Sequence, residues 1–318
     1  MSNASTSRKA DLSRPLVEVR DLVTRFDLRA GLMGKVVGRV HAVQDVSFDI
    51  IPGETLALVG ESGCGKSTVA RSIMQLEKPV SGSIRYDGVE LLGGSRQDVL
   101  RFRREAQMVF QDPFSSLNPR MTIANTLMDP MRVHRLGSDA ELRARAAELL
   151  ARVDLPPEHL DRFPHAFSGG QRQRICIARA LALDPQLIIA DEAVASLDVT
   201  IQAQVINLLM DLQRERSIAI LFISHDMAVV ERMAHRVAVM YLGEIVEIGD
   251  RRSVFTAPQH PYTRKLLSTI PVADPARRPR TRNLMTEEIP SAVRPPDFVR
   301  QKRPMRQISP THWVRESN

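Results

Sequence analysis

The stretch Gly60-Glu61-Ser62-Gly63-Cys64-Gly65-Lys66-Ser67-Thr68 sets glycines ahead of a lysine and two hydroxyls. It follows the short apolar run Thr55–Val59, so it reads as a strand, a tight loop and a helix start. This is the P-loop pattern G-x-x-x-x-G-K-[ST]. Its glycines let the backbone curl until successive N–H groups point inward, and the helix that follows adds its positive end at the same spot. Lys66 is then in reach of β- and γ-phosphates, and the Ser67 hydroxyl can sit on Mg2+. The chemistry implied is binding of a nucleoside triphosphate.

Such a loop needs a carboxylate on the metal side and a group that orients the attacking water. Leu187-Ile188-Ile189-Ala190-Asp191-Glu192 supplies both, as an apolar strand that ends in two acids. Asp191, at the strand's end, suits the Mg2+ side. Glu192, one residue on, suits a general base turned toward the γ-phosphate.

The elements that position these residues follow from patterning. The 318 residues are enough for a full α/β core. Short β-like runs fall at Leu16–Arg20, Val46–Ile50, Thr55–Val59, Ile84–Tyr86 and Gln107–Phe110, with Asp87-Gly88 as a turn. A helix is expected from about Lys66 to Leu76. Ser138-Asp139-Ala140-Glu141 is a capping-box pattern, and after it Leu142, Ala146, Leu149, Leu150 and Val153 share one helical face. Residues 120–170 therefore read as a helical insertion. The parallel-sheet pattern resumes at Leu187–Ala190. Next come a helix carrying Ile201, Val205, Leu208, Leu209 and Leu212, the strand Ile218–Ile223, and a hairpin around Leu242-Gly243.

Bulk properties narrow the classes. No apolar run approaches the ~18 residues that span a bilayer, and the polar start from Met1 to Lys9 is not a secretory signal. Two cysteines, Cys64 and Cys176, exclude a disulfide framework and fit a reducing cytosol. Ten Lys/Arg against four Asp/Glu lie between Pro275 and Asn318, so nearly all of the +7 net charge sits there. The rest of the chain is close to neutral, which argues against a nucleic-acid-binding face. Eight of the 20 prolines fall between Pro271 and Pro310. That region reads as a basic, solvated and partly disordered tail.

With both halves of the site in hand, the chain resembles the ATP-binding subunits of ABC transporters over about 17–270. Phe167-Ser168-Gly169-Gly170-Gln171 looks like the family signature, usually written L-S-G-G-Q. The resemblance implies that Ser168, Gly169, Gly170 and Gln171 cradle the γ-phosphate bound to a second subunit, so that two chains sandwich two ATP molecules. Gln111 matches the Q-loop glutamine at the metal or water, and His225 the switch histidine at the γ-phosphate. Ser196-Leu197-Asp198 matches the D-loop, where the family commonly has Ala-Leu-Asp. Phe26 is either the aromatic platform for adenine or a plain core residue. The fold implied is α/β, a P-loop NTPase of the ABC type. It has a mostly parallel sheet core, an antiparallel β subdomain and the helical insertion at about 120–170. Residues 1–15 form a flexible start, 16–270 the ATP-binding domain and 271–318 a Pro/Arg-rich extension.

Three stretches look like the oligopeptide/dipeptide/nickel importer ATPases: Gln111–Arg120 (QDPFSSLNPR), Asp198–Gln204 (DVTIQAQ) and His260-Pro261-Tyr262-Thr263. The C-terminal region lacks cysteine, as in the branch that includes glutathione-type importers. The likeness implies two transmembrane permeases, a second ATP-binding subunit and an extracytoplasmic solute-binding protein. It also implies a peripheral place on the cytoplasmic face of the inner membrane. The rival is a soluble ABC ATPase acting on ribosomes or DNA. Those usually carry two fused cassettes or a long coiled-coil insertion, and neither is seen here. Three lesser readings complete the set. His260-Pro261-Tyr262-Thr263 is a helix-entry turn. Met121, Met128 and Met131 suit an adaptable groove for a permease helix. Cys64, beside a helix N-terminus, favours the thiolate and reacts with thiol reagents.

Overall fold

The structure, a computed structural model, describes residues 14–31, 34–195, 197–268, 293–295, 298 and 302–316. It opens with a hairpin of two long strands, β1 (Val17–Ala30) and β2 (Lys35–Ile50), paired from Val17↔Ile50 to Ala30↔Lys35. Patterning marks only their inner ends. The distal part of β1 is exposed on both faces and so carries no alternation to read. β3 (Thr55–Val59) leads through the glycine-rich loop into α1 (Lys66–Ile73). That helix stops short of Leu76 because Gln75 turns to φ 55°. β4 (Ser81–Tyr86) and β5 (Val89–Glu90) flank the expected Asp87-Gly88 turn, and the exposed, arginine-rich α2 (Arg96–Glu105) precedes β6 (Ala106–Val109).

α3 (Pro113–Ser116) comes just before the stretch expected to be a helical insertion, and α4 (Ile123–Val133) and α5 (Asp139–Arg152) lie within it, the last with its full capping box from Ser138 and Glu141. α6 (Gly169–Leu181) leads back to β7 (Leu187–Asp191). Then follow α7 (Val199–Arg216), β8 (Ala219–Ser224), α8 (Met227–Met233), β9 (Arg236–Tyr241), β10 (Glu244–Asp250), α9 (Arg251–Thr256) and α10 (Pro261–Ser268). β11 (Val293–Arg294), β12 (Met305–Ser309) and β13 (His312–Arg315) come last.

The described residues form a five-stranded antiparallel sheet, β11-β2-β1-β4-β5, and an eight-stranded mixed sheet, β12-β13-β10-β9-β3-β8-β7-β6. In the second, β6, β7, β8, β3 and β9 run parallel. Successive side chains leave a strand on opposite faces, and here both faces are buried. Leu56, Leu58, Leu187, Ile189, Leu221 and Ile223 face the antiparallel sheet and α1. Ala57, Val59, Ile188, Ala190, Ile220 and Phe222 face the core that holds the other helices.

The described part of the C-terminal stretch, residues 293–295, 298 and 302–316, is not the solvated tail that its charge suggests, and the rest of that expected tail lies outside the described residues. β13 pairs with β10 and β11 with β2, so the described part of this stretch extends both sheets. Its basic side chains find acids already in place: Arg303 meets Glu244 at 2.6 Å, and Lys302 meets Asp21 at 2.6 Å. Composition could not show this, because the partners lie far back in the sequence. Met128 and Met131 are buried core at 4% and 0% exposure, so they do not line a groove.

Candidate active site

In an open parallel sheet, ligands gather beyond the carboxyl ends of the strands. The register puts those ends side by side, with Val59 opposite Ser224, Asp191 opposite Ile223 and Val109 opposite Ala190. The next residues of β3, β7, β8 and β6 are Gly60, Glu192, His225 and, after Phe110, Gln111. Four distant stretches of sequence thus meet at one edge.

The loop between β3 and α1 is closely confined. Gly60 sits at φ 149° and Gly65 at φ 109°. A Cβ on Gly60 would lie 2.2 Å from the Met240 carbonyl oxygen, and one on Gly65 would lie 2.0 Å from that of Ala42. Only glycine fits either position. From outside, the Gly243 amide donates to the Cys64 carbonyl at 3.0 Å, and the Glu61 amide donates to the Tyr262 hydroxyl at 3.0 Å. Lys66 is buried, and its Nζ donates to the carbonyls of Gly60 and Glu61 at 2.8 Å each. No side chain caps the first turn of α1, which begins at Lys66, Ser67 and Thr68. Its free amides and the helix dipole suit a phosphate.

Across from this loop, Ser67 Oγ donates to Asp191 Oδ1 at 2.8 Å. Burial pushes the Asp191 carboxyl above its usual range. The bond from Ser67 pulls it back down, and neighbouring Glu192 raises it further. A buried carboxylate held beside a hydroxyl is a pair of hard oxygen ligands, and that donor set fits Mg2+. Gln111 Nε2 donates to Glu192 Oε2 at 2.7 Å, which leaves its Oε1 as the atom for a metal or water. His225 Nδ1 lies 3.5 Å from Glu192 Oε1. Glu192 itself adopts φ 47°, and its amide donates to the Ile223 carbonyl at 3.0 Å. This left-handed kink lies just past the end of β7, and the Glu192 carboxylate meets Gln111 and His225 while that of Asp191 meets Ser67.

Cys64 differs from its expected reactivity. It is buried, and burial raises its thiol above the ordinary value, with Lys66 acting in the opposite sense. We expect iodoacetamide at pH 8 to label Cys64 in the folded chain at least ~10-fold more slowly than in the unfolded chain. Equal rates would contradict the burial.

The signature residues form a second corner. Ser168 caps α6 with Gln171 in a reciprocal pair of bonds at 3.0 and 3.3 Å. Gly170 packs so tightly on α7 that a Cβ would stand 2.4 Å from Ile201 Cγ2, and Asp198 caps the same turn through the Ile201 amide. Gly169 has open space in front of it. Ser196 lies outside the described residues. Between the two corners, Arg172 of α6 stacks over the Phe114 ring at 4.1 Å, and Arg179 donates to the Ser116 carbonyl at 2.5 Å. The segment after Gln111 is therefore fastened to the signature helix. Phe26 lies on β1 opposite Val40 and is 37% exposed, which suits a stacking surface better than a core residue. The sequence marks Tyr262 only as part of a helix-entry turn and Gly243 only as a hairpin turn, because their contacts with the loop join residues far apart in the chain.

Residues 43–195 match the family described as ABC transporter, and residues 246–297 match the oligopeptide/dipeptide transporter C-terminal region. The chain belongs to the ABC transporter ATP-binding family. Among its relatives, the glutathione import ATP-binding protein GsiA of Pectobacterium atrosepticum is 55% identical over 302 residues, 95% of this chain and 48% of that protein. The protein of that name from Escherichia coli K12 is 58% identical over 279 residues, 88% of this chain and 45% of its own. The chain thus spans about half the length of the curated relatives it matches. Among solved structures, cbiO1 from Clostridium perfringens, part of the transporter complex cbiONQ, aligns with a TM-score of 0.64 at 29% identity. That alignment covers 76% of this chain and 91% of the other. The ATP-binding cassette MJ0796, a dimer bound to ADP and Pi, aligns with a TM-score of 0.66 at 28% identity, over 74% and 99%. The folds agree: an ABC-type α/β P-loop cassette.

Proposed function

We propose that this chain hydrolyses ATP to energise import of an oligopeptide, a dipeptide or a related small solute such as glutathione. One observation carries the chemistry. Asp191 is bonded to Ser67 of the P-loop, while the adjacent Glu192 is bonded to Gln111, just beyond the end of neighbouring β6. The two acids thus have separate roles, one on the metal side and one facing the water.

Lys66 and the first amides of α1 hold the β- and γ-phosphates. Mg2+, held by Ser67, Asp191 and Gln111, would neutralise charge on those phosphate oxygens. Glu192 takes the proton of the attacking water, and Gln111 and His225 orient its carboxylate. Phe26 stacks on adenine. In a pair of cassettes, Ser168, Gly169, Gly170 and Gln171 of one chain close on the γ-phosphate held by the other, beside Asp198. The dimeric form of the MJ0796 cassette favours that pairing. The fastening of residues 112–116 to α6 provides a rigid route from Gln111 to the signature corner.

The transport reading rests on the printed names of the relatives and on the oligopeptide/dipeptide match. It places the chain at the cytoplasmic face of the inner membrane. There it works with two permeases, a second ATP-binding subunit and, through them, an extracytoplasmic solute-binding protein. No helix among the described residues is long and apolar enough to cross a membrane, and in this reading the permeases supply the spans. The test is to capture tagged Glu192→Gln chain from detergent-solubilised membranes with ATP present and to identify what comes with it. Two permeases and an ATP-binding chain are the expected result. Ribosomal or DNA-repair proteins with no membrane protein would overturn it.

A further inference from the structure

We propose that Tyr262 positions the P-loop for nucleotide, and that buried Glu247 and the β12–β13 hairpin hold Tyr262 in place. This rests on the nucleotide reading of the site. The sequence singles out His260-Pro261-Tyr262-Thr263, and the catalytic constellation makes no use of it. In the structure Pro261 opens α10, as expected of a helix-entry turn, but the turn also reaches the loop.

The connection can be followed bond by bond. The Glu61 amide donates to the Tyr262 hydroxyl at 3.0 Å. The Tyr262 ring is buried and lies 4.2 Å from that of Tyr241. The Tyr262 amide donates to His260 Nδ1 at 3.1 Å, and the His260 amide donates to Glu247 Oε2 at 2.9 Å. Glu247 Oε1 accepts the Gln259 amide at 2.8 Å and meets His312 Nε2 at 2.7 Å. Glu247 is fully buried and His312 is 3% exposed, so neither has water as a substitute partner.

Position in the loop gives the first of these bonds its meaning. The Glu61 N–H and the Gly60 carbonyl belong to one rigid peptide unit. That carbonyl is one of the two that hold Lys66 Nζ, at 2.8 Å. The Tyr262 hydroxyl therefore grips the plane that aims the phosphate-binding lysine. Without it, the plane can rotate on glycine torsions that resist little, and Lys66 loses its fixed starting point. Such preorganisation acts on binding and leaves the hydrolytic step to Glu192. Tyr262 is a positioning residue, and Glu247 acts through it.

The test uses the full chain, trinitrophenyl-ATP with Mg2+ as probe, and steady-state ATP turnover. Tyr262→Phe keeps the ring and removes the hydroxyl. We expect nucleotide affinity to fall about 5-fold, as for one lost neutral hydrogen bond, with kcat within twofold. Glu247→Gln should weaken binding in the wild-type background and add nothing to Tyr262→Phe, because both act on one peptide unit. A purely structural role would instead lower the melting temperature and leave affinity unmoved. Affinity within twofold of wild type in Tyr262→Phe overturns the proposal, as does a loss confined to kcat. Additive losses would remove Glu247 from it. Failure of the wild-type chain to bind the probe would strike the nucleotide reading itself and so stands apart from these outcomes.

Discussion

Glu192→Gln should lower ATP turnover by about 10²–10³-fold, the usual contribution of a positioned general base, while nucleotide affinity stays within ~3-fold of wild type. The substitution preserves size and an oxygen that can accept from Gln111 Nε2, now 2.7 Å from the carboxylate. It removes only the capacity to take a proton. The kink at φ 47° is a backbone property and survives the change, so the amide oxygen remains where the carboxylate was. Binding contacts are untouched, because Lys66 and Ser67 bond to Gly60, Glu61 and Asp191. The experiment pairs single-turnover hydrolysis with nucleotide titration. Turnover within tenfold of wild type would move the base role to another group, with His225 the next to examine.

Gly65→Ala should abolish nucleotide binding, with at least ~100-fold lost in affinity, equivalent to about 2.7 kcal/mol. Two effects combine. A Cβ there would stand 2.0 Å from the Ala42 carbonyl oxygen and 2.8 Å from Met240 Cε, and φ 109° is a conformation that L side chains rarely adopt. Ala42 lies at a bulge of β2, between His41 and Val43, which pair with Arg25 and Thr24, so its carbonyl is anchored by paired neighbours on both sides. Strain and clash together come to about 3 kcal/mol, which in a chain of 318 residues lowers the melting temperature by about 4–5 °C. Gly63→Ala is the internal control. It too has positive φ, 79°, but nothing lies within 4 Å of the added Cβ, so strain of about 1–2 kcal/mol acts alone. Equal effects from the two variants would mean that the close approach of β2 is immaterial.

The part of the site that could be read from sequence is the part whose chemistry is local. Gly60–Thr68 and Leu187–Glu192 each carry strand, turn and reactive group within a few residues, so type and spacing suffice. Gln111 and His225 have no such context. A lone glutamine or histidine after an apolar run implies nothing until the register sets Val109 beside Ala190 and Asp191 beside Ile223, and only family likeness singled them out. The long β1–β2 hairpin was half hidden because its distal residues touch solvent on both sides. Tyr262 was visible only as part of a helix-entry turn, and Glu247 and His312 not at all, since each acts on a partner that the sequence gives no reason to connect with it. Cys64 was misjudged for a related reason. Its helix N-terminus is visible in the sequence, but its burial comes from a core cluster shared with residues as distant as Val43 and Met240.

The tie between Glu247 and His312 also bears on how the chain matures as it is synthesised. β10 is made well before β13, yet Glu247 Oε1 shares its donors with a histidine on that later strand. Until residue 312 has left the ribosome, Glu247 Oε1 can take the Gln259 amide but not the histidine, and β10 lacks its β13 neighbour. A strand made late thus completes the setting of a carboxylate on a strand made early. A nascent chain can form its glycine-rich loop well before it can gain the support proposed for Tyr262.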